Sequence, residues 1–249
     1  MSQTVNNFTV LESVYGRFIV NRHCQFQAEH LVRTGRPHID QEIRNILSIA
    51  RTLPDGCVFV DAGANIGLIS IPVAAALRAR RGVVHAFEVQ RPLAYALGGS
   101  AVLNDLDNLF VHRRALGAAA CTLKVPRLDY GKPQDFGLLS LTDQAATDEA
   151  ETVAMTTIDG LGLPRLDFLK IDVEGMELDV LRGARGMIGA HRPWCWVENW
   201  KVHKPAIKRE FGALDYRFYD ADELNTLCVP TERLQGGAIT IKAAEAMME

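Results

Sequence analysis

The sequence predicts an α/β protein built on a parallel sheet with helices on both faces, and three observations carry that expectation. From Cys57 onward, short apolar runs alternate with segments of helical periodicity, the pattern of strands buried on both sides and joined by crossover helices. Several of the apolar runs end in polar residues, Asp61, Glu88, Asp172, Glu198 and Asn199. Such sheets bind ligands at the carboxyl ends of their strands, near the point where strand order reverses. The chain has 249 residues, 48% hydrophobic and 23% charged, which suits one large globular domain.

The elements follow in order. Phe8–Val20 carries β-branched and aromatic residues around Tyr15-Gly16 and reads as a β-hairpin. Ile39–Leu53 places Ile43, Ile46, Leu47 and Ala50 at helical spacing, with Asp40 as an N-cap and Pro54-Asp55-Gly56 as the terminating turn. CVFVDAG (57–63) is the first sheet strand. Ile66–Arg81 is a helix whose end, with Arg78, Arg80, Arg81 and Gly82, suits the negative pole of a helix dipole. VVHAFE (83–88), a helix over Pro92–Leu103 and LFVHRRAL (109–116) come next. Residues 117–157 mix short β-like runs (CTLKVP, GLLSL, ETVAMTT) with a polar, acidic stretch, Thr142–Glu151, and read as an antiparallel excursion. LDFLKID (166–172) is a strand, Met176–Met187 a helix and WCWVEN (194–199) a strand; Phe211–Tyr219 and Ala238–Ile241 supply the last strands. Residues 1–56 are expected to form a small cap on the acceptor side of a catalytic domain over 57–249.

Composition excludes several classes. The longest apolar stretches, such as Ile66–Leu77, are shorter than the ~20 residues of a membrane helix. MSQTVNNFTV has no basic start followed by an apolar core, so no signal peptide is expected. A net charge of −3 argues against nucleic acid as partner. The five cysteines (24, 57, 121, 195 and 228) are scattered and form no CxxC pair. They read as buried thiols of a cytoplasmic protein.

The strand ends carry the chemistry. In Val60-Asp61-Ala62-Gly63-Ala64-Asn65-Ile66-Gly67 a strand enters a glycine turn that opens a helix. Gly63 permits a tight turn, Gly67 a close approach of helix and ligand, and the first helical N–H groups can hold a carboxylate or phosphate. Asn65 and Leu68 replace the second and third glycines of the dinucleotide fingerprint GxGxxG, so an adenosyl ligand without a pyrophosphate fits better. Asp61 is placed to accept from an ammonium group. Glu88, at the next strand end, is placed to accept from both ribose hydroxyls. Lys170-Ile171-Asp172-Val173-Glu174-Gly175 puts Asp172 at a third strand tip, with Glu174 either in the loop or capping the following helix. Glu198-Asn199 ends the neighbouring strand. Asp172, Glu198 and Asn199 form either a hydrogen-bonded pocket or a set of hard oxygen ligands for Mg2+.

These motifs, VDAGANIG, HAFE, RALG, TTIDGL, LKIDVEGME with LRGA, and the later Glu198, occur in an order that resembles the FkbM family of S-adenosylmethionine-dependent methyltransferases. The resemblance spans about residues 29–200 and includes RTG at 33–35. It implies a class I (Rossmann-like) methyltransferase fold, a seven-stranded, mostly parallel sheet with a reversed last strand. It implies that Asp61, Gly63, Ala64, Asn65 and Gly67 form the cofactor loop, that Glu88 binds the ribose, and that Asp172, Glu174 and Gly175 form the signature of the fourth strand. Asn104 matches an asparagine that braces a loop. Val89 stands where that family has a proline after the ribose acid, which puts the adenine-side loop in question.

Methyl transfer from a sulfonium is an in-line displacement that depends on alignment. A hydroxyl acceptor must also lose a proton. Asp172, Glu198 and His203 are the candidate catalytic groups, and a metal at Asp172, Glu198 and Asn199 would lower the hydroxyl pKa instead. The expected acceptor is a small hydroxylated molecule, a sugar, glycan or natural product, and a homo-oligomer is compatible with the chain. Trp200 could line the acceptor pocket, and His112-Arg113-Arg114 reads as a solvated edge. The rival readings are an NAD-linked oxidoreductase, disfavoured by the missing second glycine, and an inactive regulatory protein, disfavoured by the intact acids.

Overall fold

A computed structural model describes residues 6–138 and 150–235. Residues Phe8–Ser13 (β1) and Gly16–Asn21 (β2) pair as an antiparallel hairpin, followed by helices Gln25–Thr34 (α1) and Asp40–Ala50 (α2). The sheet strands are Val58–Ala62 (β3), Val83–Phe87 (β4) and Leu109–His112 (β5), separated by Ser70–Arg78 (α3) and Arg91–Leu103 (α4). Ala115–Leu116 (β6), Cys121–Val125 (β7) and Glu151–Thr156 (β8) make a separate three-stranded sheet, in which β7 and β8 are antiparallel. Phe168–Ile171 (β9), Glu177–Arg182 (α5), Arg185–His191 (α6), Trp194–Glu198 (β10), Lys204–Phe211 (α7), Tyr216–Asp220 (β11), Asn225–Pro230 (β12) and Thr231–Gln235 (α8) complete the order.

The main sheet has seven strands in the order β11-β12-β10-β9-β3-β4-β5. β12 runs antiparallel to both neighbours and the other pairs are parallel. Strand order reverses between β3 and β9, so the ends carrying Asp61 and Asp172 flank the crevice that such sheets use for ligands. β3 and β9 are buried at every position, as their near-continuous apolar sequence requires. The N-terminal segment joins the same core: Phe18, Val20, Leu31, Ile43, Ile46 and Ile49 are buried with Phe59, Phe168 and Trp196.

Several expectations need correcting. α3 begins at Ser70 rather than Ile66, because Asn65 (φ +50°) and Gly67 (φ +89°) adopt left-handed backbone and hold residues 64–67 in a turn. The helix expected over Met176–Met187 is two helices. A Cβ on Gly183 would lie 2.0 Å from the Gly117 carbonyl oxygen, so the chain breaks where that backbone packs, and Asp159 caps the second helix at the N–H groups of Gly186 and Met187. Asp40 does not cap α2, whose N-cap is Ile39; it accepts from Tyr15 and pairs with Arg36 and Arg44 in the first turn. Phe211 ends α7, and the strand of that region starts at Tyr216. Ala115-Leu116 leaves the main sheet for the small one, and Phe136–Leu138 is a short 3-10 turn. Helices α1, α7 and α8 and strand β12 have no counterpart in the sequence reading. The strand expected at Ala238–Ile241 and the acidic stretch from Thr142 to residue 149 lie outside the described residues. Asn104 braces β2 against α4: its side chain accepts from the Arg17 N–H and donates to the Arg17 and Ser100 carbonyls.

Candidate active site

The ends of β3, β4, β9 and β10 open onto one cavity of about 420 Å³, within the ~300–1,000 Å³ typical of small-molecule sites. Its wall includes Asp61, Gly63, Ala64, Asn65, Glu88, Asp172, Glu174 and Glu198. Strand topology alone brings these residues together, since they span 138 positions from Asp61 to Glu198.

Gly63 is where the first and third motifs touch. It has φ +81°, and a Cβ there would lie 1.7 Å from the Asp172 carbonyl oxygen. Only glycine permits that approach. Gly67 lies outside the cavity wall: the Leu97 side chain occupies the space of its Cβ, 2.2 Å away, so its lack of a side chain serves packing of the turn on α4. The loop amides ahead of the helix are already engaged. The N–H groups of Gly63 and Ala64 both donate to the Phe87 carbonyl, that of Ile66 to the Asn65 side chain, and that of Asn65 to Glu88 Oε2 at 2.9 Å.

Glu88 therefore braces the loop as well as lining the cavity. Its Oε1 accepts from the Gln90 N–H at 2.7 Å. Burial pushes its pKa up to about 7, against the opposing pull of the Gln90 and Asn65 N–H donors. Where a proline was expected to shape the next turn, Val89 is followed by Gln90, whose amide donates to the Phe136 carbonyl and accepts from Tyr130. That ties the excursion of residues 121–138 to the end of β4.

Asp61 is fully buried. Its Oδ2 accepts from Ser70 Oγ at 2.5 Å, while Oδ1 has no hydrogen-bond partner among the described residues. Lys170 Nζ lies 3.7 Å from Oδ1 and 3.1 Å from Asp172 Oδ2. Burial would lower the Lys170 pKa, but the Asp172, Asp61 and Glu42 carboxylates outweigh it and hold the ammonium firmly charged. The sequence reading missed Lys170 as a site residue; its signal was a cation inside the apolar strand LDFLKID. It also missed Glu42, which α2 delivers to the same cavity. No local pattern marks Glu42, whose position depends on how the N-terminal segment docks.

Glu198 has no hydrogen-bond or ion-pair partner among the described residues. Burial, and then the neighbouring Asp172 and Glu174 charges, push its pKa well above the usual carboxylate range. The carboxylates of Asp172, Glu174 and Glu198 each offer an oxygen within 4.8 Å of the others. Asn199 is absent from the cavity wall: its N–H donates to the Leu224 carbonyl and its amide to Thr226 Oγ1. His203 is exposed, lies at the N-cap of α7 and is absent from the cavity wall. Proximity in sequence to a strand tip did not bring either residue to the site. Trp200 and Arg114 do line the cavity.

A sequence model described as "Methyltransferase FkbM domain" matches residues 61–224. No curated protein matches the chain. Among solved structures, a methyltransferase FkbM from Methylobacillus flagellatus overlays with TM-score 0.51 at 20% identity, covering 71% of this chain and 44% of that one. That likeness bears on the fold alone. A Pyrococcus abyssi tRNA (uracil-54, C5)-methyltransferase in complex with S-adenosyl-L-homocysteine gives 0.46 at 11% identity, covering 90% and 44%. A SAM-dependent methyltransferase from Aquifex aeolicus gives 0.47 at 12%, covering 83% and 100%. The chain thus spans less than half the length of the first two.

Proposed function

The chain belongs to the FkbM methyltransferase domain family, and on that premise we propose that it transfers the methyl group of S-adenosylmethionine to a hydroxyl of a small sugar, glycan or natural-product molecule. The observation that carries this reading is the convergence of the glycine turn, Glu88 and three strand-tip carboxylates on one cavity. The residues fit the cofactor: Glu88 offers acceptors for ribose hydroxyls, and the orphaned Oδ1 of buried Asp61 offers an acceptor to the methionine ammonium. When bound, S-adenosylmethionine supplies an electrophilic methyl group on a sulfonium.

The chain's own work is alignment and proton removal. Glu198 is the best-suited base. It faces the cavity without a partner, and its raised pKa gives it proton affinity near neutrality. Asp172 is engaged by Lys170 and orients rather than abstracts. Glu198→Gln is expected to lower kcat by roughly 10²–10⁴-fold, while affinity for S-adenosylmethionine stays within about twofold of wild type, since only the small uniform binding contribution of a group not touching the donor is lost. Methyl-labelled donor with a panel of hydroxylated acceptors gives the first number and calorimetry the second. An unchanged kcat removes Glu198 as the base.

A Mg2+ ion fits the structure poorly as it stands. Lys170 already binds Asp172, and Lys201 already binds Glu174, so a divalent ion would have to displace two ammonium groups. No step is assigned to a metal. Turnover is expected to survive EDTA; loss with recovery on adding Mg2+ would restore the metal reading. The acidic cavity and the net charge of −3 favour a small acceptor over nucleic acid. No helix among the described residues is long and apolar enough to cross a membrane. Four of the five cysteines are buried as expected and Cys121 is exposed; all are free, which suits the reducing, cytoplasmic location we propose.

A further inference from the structure

We propose that Glu42, carried into the cavity by the N-terminal segment, contacts the methyl donor and reads the positive charge of its sulfonium, so that the site prefers S-adenosylmethionine to its uncharged-sulfur product, S-adenosylhomocysteine. The inference rests on the reading above that the cavity takes an adenosyl sulfonium. It concerns a residue outside the matched family segment, which begins at Asp61.

Glu42 sits in a rigid element. Ile43, Ile46, Leu47, Ile49 and Ala50 of α2 are buried, and Asp40 in the first turn is held by Tyr15, Arg36 and Arg44. The Glu42 side chain lines the cavity, yet it makes no hydrogen bond or ion pair with any described residue. The charges facing it are Lys170, Asp172, Asp222 and Asp61. Lys170, the only cation of the four, is already engaged by Asp172 and Asp61.

A second observation points to a missing cation. Asp61 Oδ1 is buried in the cavity wall without a hydrogen-bond partner. Asp61 keeps Ser70 on Oδ2 and Lys170 only at 3.7 Å from Oδ1, while Glu42 has no partner among the described residues, and carboxylates so placed are costly. S-adenosylmethionine brings two positive groups, the methionine ammonium and the sulfonium. Asp61, at the strand tip beside Gly63, suits the ammonium, and Glu198, the other unpartnered acid of the cavity, is assigned above to the acceptor, which leaves the sulfonium to Glu42. Burial pushes the Glu42 pKa up to about 7, as expected of a carboxylate waiting for a cation.

The two ligands differ at one group, because both carry the ammonium and only the donor carries the sulfonium. Calorimetry of wild type and Glu42→Gln with each ligand isolates that group. Glu42→Gln is expected to weaken S-adenosylmethionine binding by at least about tenfold, since loss of one charge a few ångströms away at an intermediate dielectric costs that much or more. S-adenosylhomocysteine affinity should change by less than about twofold, since its sulfur carries no charge for Glu42 to meet. Glu42→Asp should keep most of the wild-type preference. Glu42→Ala removes the same charge with less bulk and supplies the measurement if the Gln variant misfolds. Equal weakening of both ligands would assign Glu42 to the ammonium or to cavity shape and overturn the proposal. So would an unchanged ratio. Failure of the methyltransferase reading looks different: wild type would then bind neither ligand.

Discussion

Glu88→Ala is expected to weaken binding of S-adenosylmethionine by at least about tenfold, since hydrogen bonds to a charged group contribute ~1.5–3 kcal/mol. Two losses combine. The variant removes the acceptors proposed for the ribose hydroxyls, and it strands the N–H groups of Asn65 and Gln90, which Glu88 holds at 2.9 and 2.7 Å. Among the described residues, the glycine turn is then held only by the Phe87 carbonyl and by bonds within itself. Glu88→Gln separates the two effects. Its amide oxygen can still accept from one of the two N–H groups, so the fold should suffer less than in the alanine variant while affinity stays low. Calorimetry and thermal melts on the same samples give both quantities. Wild-type affinity in Glu88→Ala would show that the cofactor does not touch the end of β4.

Lys170→Met is expected to destabilise the protein by about 3–5 kcal/mol, the usual result of removing one partner from a buried ion pair. For a chain of this size that corresponds to a fall in melting temperature of roughly ten degrees. Lys170 is 4% exposed and, among the described residues, is the ammonium between Asp61, which is fully buried, and Asp172. Its loss leaves these carboxylates and Glu42 facing one another. The effect has a pH signature. The pKa of Asp61 is raised by burial, and that of Glu42 reaches about 7, so both are raised relative to the unfolded chain. Raised carboxylates favour the fold at low pH and lose that contribution as pH rises through the folded pKa. Removing Lys170 raises them further. The deficit in Lys170→Met should therefore be largest above neutrality and shrink toward pH 5. Melts across that range that show an equal deficit throughout would mean that packing, not charge, is what Lys170 supplies.

The parts of this site legible in the sequence are those in which one short segment carries both the element and its chemistry. VDAGANIG announces a strand, a turn and the glycine that Asp172 packs against; HAFE and KIDVEG announce strand tips. The sheet order follows from such strands once crossovers are assumed. What was not legible depends on distant chain. Glu42 becomes a site residue only because a hairpin and two helices dock on the sheet. Gly67 looked like a ligand-facing glycine, but Leu97, thirty positions on, claims the space beside it. His203 and Asn199 follow a strand tip closely, and nothing local says that the chain then turns away. Met176–Met187 has continuous helical composition, and its break at Gly183 answers to the Gly117 backbone. Lys170 is the instructive omission: a cation in a fully apolar strand signals a buried acid nearby, and Asp61 on the adjacent strand supplied it.

The binding losses expected of the Glu88 and Glu42 variants require the cavity at the ends of β3, β4, β9 and β10 to be an adenosyl-sulfonium site. Isothermal titration of the wild-type protein with S-adenosylmethionine, and in parallel with NAD, tests it most directly. Saturable one-to-one binding of S-adenosylmethionine in the micromolar range is expected, with no heat from NAD. Binding of NAD, or no binding of S-adenosylmethionine, would contradict it.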